Sequence, residues 1–195
     1  MRKQGHFLII FAFLLSAFVS GAQTTPPVKS DFQNDLETII KDYPNSFHQY
    51  IGDELVANPQ STDYSSLLKV SGAEDCRIIE YPSRKRNRYS FQAIMLTTDD
   101  FETAKNSFLS FYKQVNNLYV KAGDSRAFQL QGLYEEPSEE KKFTSTLFST
   151  GASTENPQRL KVELLMEYAL MEWQVKVLVY EKEREDDERG ETKSL

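Results

Sequence analysis

One cysteine, two histidines, eight glycines and one tryptophan in 195 residues leave little room for several kinds of chemistry. With Cys76 alone no intramolecular disulfide can form, so the fold must stand on core packing. A zinc site of His and Cys ligands would have to combine His48, Cys76 and carboxylates, and no ligand spacing joins them. The glycines form no phosphate-cradling loop, no Walker sequence and no calcium loop. Neither a metal nor a cofactor is expected. Positive charge is in deficit too: 23 Lys and Arg stand against 29 Asp and Glu, a net charge of −6. That balance disfavours nonspecific nucleic-acid binding.

Long apolar runs are equally scarce. The one at residues 7–19 follows Arg2 and Lys3 and precedes Ser20, Gly21 and Ala22, the pattern of an export signal peptide cut between Ala22 and Gln23. The run is too short to span a bilayer comfortably, and no second one follows. A bacterial lipoprotein needs a cysteine after the cut, where Gln23 stands. The expectation is a periplasmic or secreted bacterial envelope protein with no transmembrane span after cleavage. Without Arg2 and Lys3, 21 basic residues face 29 acidic ones, a net charge of about −8. Residues 23–29 are Thr- and Pro-rich and read as a flexible leader, 30–182 as a single domain, and 183–195 as a charged tail expected to be disordered.

Aromatic side chains are plentiful, with ten Tyr and thirteen Phe, and support a real core. Residues 76–119 carry the clearest pattern. Residues 76–81 are rich in Ile and Tyr, and in 88–96 Tyr89, Phe91, Ala93 and Met95 recur at strand spacing, so the two runs predict a hairpin. Asp99, with Glu102 three residues on, reads as the N-cap of a helix over 99–120. Phe101, Ala104, Phe108, Phe111, Tyr112, Val115 and then Leu118 or Tyr119 form its apolar stripe, and Gly123 follows it. An earlier helix starts at Ser30, with Gln33 completing a capping box, and ends at Pro44. Strands are expected somewhere in 47–56 and over 64–70, 127–134 and 143–148, the last polar enough for a sheet edge. The best strands are 160–168 and 173–179, and the short link between them makes an antiparallel hairpin.

The fold class is therefore α+β: two amphipathic helices packed on one face of a largely antiparallel sheet of seven or eight strands. Asp31-Phe32 opens one helix and Asp100-Phe101 the other, each with strand candidates after it, which suggests pseudo-repeats at 30–98 and 99–182. This element order is similar to that of duplicated helix-plus-four-strand proteins such as the secreted beta-lactamase inhibitor proteins, and to helix-grip folds. The likeness is one of element order and implies no function.

Four basic residues, Arg84, Lys85, Arg86 and Arg88, crowd the predicted tip at 83–88. They are the candidate ligand- or partner-binding residues, fitted to lipid phosphates, acidic glycans or an acidic partner. A solvated tip that discourages aggregation is the simpler explanation of them. Cys76 at the start of an apolar strand reads as a packed core thiol, with a reactive Cys76–His48 pair as the sharper alternative. Glu80, Glu163, Glu167 and Glu172 occupy strand or hairpin positions expected to face solvent, and none stands out as an acid–base pair. Phe91, Phe128, Tyr134, Met166 and Trp173 fall where they would line an apolar cavity, or simply the core. The leading expectation is a non-enzymatic binding or interaction module whose partner is an envelope protein, a glycan or a small apolar ligand. The alternatives are a carrier of an apolar small molecule between helix and sheet, and a hydrolase using dispersed carboxylates or Cys76.

Overall fold

The computed structural model describes residues 29–84, 86–116, 118–122, 126–150 and 159–181. The expected signal peptide, nearly all of the leader, the charged tail and Lys85 lie outside these residues. The protein is α+β, with helices α1 (Asp31–Asp42) and α2 (Phe101–Asn116). Its strands are β1 (Ile51–Asn58), β2 (Ser61–Ser66), β3 (Asp75–Tyr81), β4 (Arg88–Thr98), β5 (Tyr119–Ala122), β6 (Arg126–Gln131), β7 (Phe143–Thr150), β8 (Leu160–Ala169) and β9 (Glu172–Glu181). They form one sheet of nine strands in the order β1-β2-β3-β4-β9-β8-β7-β6-β5, every neighbouring pair antiparallel. Two meanders thus run inward from opposite edges and meet where β4 pairs with β9.

The first helix forms as its residues dictate. Ser30 Oγ accepts the Gln33 amide hydrogen bond, the Gln33 side chain accepts from the Ser30 N–H, and Phe32, Leu36, Ile39 and Ile40 are buried. The second helix is capped one residue later than expected. Asp100, not Asp99, takes the Thr103 amide, at 2.6 Å. It also ends early, at Asn116, because the apolar positions after Val115 change period. Leu118 and Val120 are buried at strand spacing, and residues 119–122 pair with β6 as the additional strand β5. That makes nine strands where seven or eight were expected.

Other boundaries shift for similar reasons. Phe47 is no strand residue. It sits at φ 57° between two short 3₁₀ turns, Tyr43–Asn45 and His48–Tyr50, with its ring wholly buried. The β2 strand is 61–66 rather than 64–70, since Ser66 Oγ turns back to the Leu68 carbonyl and the chain leaves the sheet. The polar β7 lies between β8 and β6 instead of at an edge, and among the described residues Leu130 and Gln131 of β6 pair with it.

Helix packing also differs from two helices laid side by side on the sheet. Helix α2 crosses β4, β9, β8 and β6, burying Ala104, Phe108 and Val115. Helix α1 leans on α2 through Phe32 and Phe111, whose ring centroids are 4.9 Å apart, and docks on the β5 edge. Alternation along the central strands supplies the floor. Val162, Leu164 and Met166 of β8 and Val175, Val177 and Val179 of β9 are buried towards α2, and the intervening residues face the other side. Gly132 marks the tightest approach beside β7. A Cβ there would lie 2.7 Å from both the Phe148 ring and the Thr146 methyl. Gly132 also accepts the Tyr112 hydroxyl on its carbonyl and gives its N–H to Asn116. Gly132→Ala is expected to cost about 1–3 kcal/mol by overpacking, read as a lower urea midpoint; an unchanged midpoint would show that β7 yields freely.

Candidate functional site

The sheet has two decorated ends, one where the β3–β4 tip projects and one where β8 turns into β9. At the first, Glu80 pairs with Tyr89 across the strands and lies on the same side as Cys76 and Ile78, towards the helices and not, as expected, on the solvent face. Its carboxylate accepts from Tyr89 Oη at 2.8 Å, Asn87 Nδ2 at 2.5 Å and Tyr64 Oη at 3.0 Å. The Tyr89 bond, helped by those of Asn87 and Tyr64 and opposed by burial, holds the Glu80 carboxyl below the usual range. Burial, then the Glu80 bond and charge, push Tyr89 up to about 12. The carboxylate therefore stays ionised and the two phenols protonated across the neutral range. The His48 ring packs edge-on against Tyr89, with centroids 4.8 Å apart.

The structure divides the basic tip. Arg84 is exposed and has no ion pair with another described residue. Arg86 is held at 2.5 Å by Glu181, which also accepts from Arg159 at 3.2 Å. Arg88 lies opposite Tyr81 on the side of the sheet away from the helices. Lys85 falls outside the described residues. Burial and the charge of Glu181 raise the nearby Tyr43 phenol to about 12.

Cys76 is 1% exposed, its Sγ accepts the Val70 N–H at 3.4 Å, and burial pushes the thiol up. It pairs with Ala93, four residues along β4 from the tyrosine that holds His48, a rise of about 13 Å. The two are not brought together. Comparison with protein-family models, with curated proteins and with solved structures finds no match. Of the other carboxylates, Glu163 accepts from Tyr180 and Glu167 from Lys176, while Glu172 is exposed. Among the described residues no group of three or more His, Cys, Asp or Glu is placed to hold a metal ion. Phe91, Met166 and Trp173 are buried, and Phe128 and Tyr134 pack against the same core.

The second end carries what the sequence reading overlooked. Ala169 pairs with Glu172, leaving Leu170 and Met171 as a two-residue turn. Both have positive φ, 53° and 72°, as the tight turn of a right-twisted hairpin demands. Neither is Gly, Asn or Asp, and they are 91% and 80% exposed. Beneath them Trp173 packs between Tyr168 and Phe101, with centroids 5.1 Å from each, and Lys142 lies over the Tyr168 ring. Lys142 is also left-handed, at φ 53°, and its carbonyl accepts the Tyr168 N–H. Phe143, opposite Glu167 at the same end, is 53% exposed. A braced aromatic base therefore presents an apolar knob.

Proposed function

We propose that this chain is an exported envelope protein acting as a non-enzymatic interaction module, and that it seats the Leu170–Met171 turn in an apolar cleft of a partner protein. The observation that carries the reading is the turn itself. A left-handed non-glycine residue costs roughly 1 kcal/mol, and full exposure of Leu and Met gives nothing back within the fold. A convex knob fits a concave partner, as buried apolar anchors do at interface centres. The exposed carboxylate of Glu172 and the net charge of about −8 that cleavage would leave (21 basic against 29 acidic residues) set it against an anionic lipid surface. The three hydrogen bonds that engage the Glu80 carboxylate and the distance between Cys76 and His48 favour this reading over a hydrolase built on those groups. The packed state of Phe91, Met166 and Trp173 gives the carrier reading little support.

The test is affinity capture from envelope extract with the mature chain and with Leu170→Asp, followed by reconstitution with the purified partner. The wild-type chain is expected to retain a protein that the variant loses. Equal retention by both would defeat the proposal.

We also propose that the halves are a duplication. The meanders run inward from opposite edges, and their last strands, β4 and β9, pair antiparallel as a two-fold relation requires. Residues 30–98 made alone should then associate as a dimer through β4, by sedimentation. An unfolded monomer would count against it.

A further inference from the structure

At the C-terminal end of α1, Asp42 is 4% exposed. A carboxylate there meets the negative end of the helix dipole, which disfavours it. Its Oδ1 is clamped by Asn45 Nδ2 at 2.8 Å and Gln49 Nε2 at 2.7 Å. Its Oδ2 is buried and has no hydrogen-bond partner among the described residues. A buried charged oxygen left unmatched is among the more expensive features a fold can carry. Asp42 forms part of the wall of an open pocket of about 300 Å³, together with Thr38, Lys41, Asn45, Gln49 and Tyr50. The basic residue that would most simply neutralise it, Lys41, is drawn away to Glu37 at 2.9 Å.

We propose that this pocket binds a small organic cation bearing a primary ammonium, which donates to Asp42. The helix C-terminus and the carboxylate favour positive charge together, and the Tyr50 ring offers an aromatic wall of the kind cations prefer. A metal ion is the poorer fit, because among the described residues Asp42 is the only carboxylate in the wall. The volume suits an amine of a few carbons or a single amino sugar.

Putrescine is the first probe, titrated calorimetrically into the mature full-length chain at matched ionic strength. Saturable binding is expected, weakened on the order of ten- to a hundredfold by Asp42→Asn, the worth of one charged hydrogen bond. Should Asp42→Asn fail to fold by circular dichroism, glucosamine and its neutral counterpart N-acetylglucosamine decide on the wild-type chain. The cationic sugar binds and the neutral one does not. The proposal is overturned if neither cation binds saturably, if the neutral sugar binds as well as the charged one, or if folded Asp42→Asn binds putrescine undiminished.

Discussion

The double substitution Leu170→Asn with Met171→Gly is expected to make the protein more stable and to abolish the proposed interaction. Both parent residues hold left-handed backbone, at φ 53° and 72°. Asn-Gly is the pair that a two-residue hairpin turn of this hand accepts with least strain. Relief at both positions should contribute roughly 1–2 kcal/mol, read as a rise in thermal midpoint of about 2–4 °C for each kcal/mol. Nothing packed in the core is lost, since the two side chains are 91% and 80% exposed. The same change removes the whole apolar knob, so capture of the partner should fall to background.

Gain of stability with loss of binding is the signature of strain retained for function. Leu170→Glu separates the two effects: it removes apolar surface while keeping in the left-handed turn a residue that, unlike Asn, Asp or Gly, does not relieve its strain. Its expected outcome is a thermal midpoint close to the parent's and binding lost. If the double variant is less stable than the parent, the turn is satisfied by contacts within the fold. If it still binds, the recognition element lies elsewhere, with the exposed Arg84 the next position to change.

Much of this architecture was legible where a single period rules. The α1 stripe and its Ser30–Gln33 box, the β3–β4 hairpin and the β8–β9 hairpin follow from spacing alone, because each buries one face and has polar residues on the other. The errors fall where two periods overlap. Val115, Leu118 and Tyr119 satisfy helical spacing, while Leu118 and Val120 satisfy strand spacing, and the β6 partner decides in favour of the strand. Phe47 was misread because a buried aromatic in a left-handed turn leaves no periodic trace. At the site the difficulty was different. Exposure at Leu170 and Met171 was implied once the hairpin was recognised, since a link that short must project and must take positive φ. Apolar residues in that link were the signal, and the charge cluster at 84–88 drew attention instead. The Asp42 pocket had no such signal, because it depends on the two 3₁₀ turns that bring Asn45 and Gln49 back over the helix end.

Acid should loosen the molecule at β5 before the central strands give way. This strand is an open edge, and an open edge needs its backbone groups covered. Here α1 does the covering. Glu37 Oε1 accepts the Lys121 N–H at 3.3 Å, and Lys29, itself bound to Glu37, donates to the Tyr119 carbonyl at 2.6 Å. Burial pushes the Glu37 carboxyl up, but Lys29, Lys41 and the Lys121 amide together outweigh it and bring the group from its ordinary 4.5 to about 2. A folded value below the unfolded one means that the stabilisation is fully present above pH 4.5 and is lost as the pH falls through about 2. With the lysines partly exposed, the contribution at neutral pH is about 2 kcal/mol. Glu37→Gln is expected to remove that amount, because the amide oxygen can still take the Lys121 N–H but leaves both lysines without a counter-charge. Urea midpoints measured from pH 7 to pH 2 should fall steeply below pH 4.5 in the parent and more gently in Glu37→Gln, the two curves converging at the acid end. Exchange of the Lys121 amide should quicken in the variant at pH 7 while that of Val177, in the central strand β9, does not. Parallel curves, or equal acceleration at both amides, would mean that Glu37 supports the fold as a whole and that the edge is held by something other than this latch.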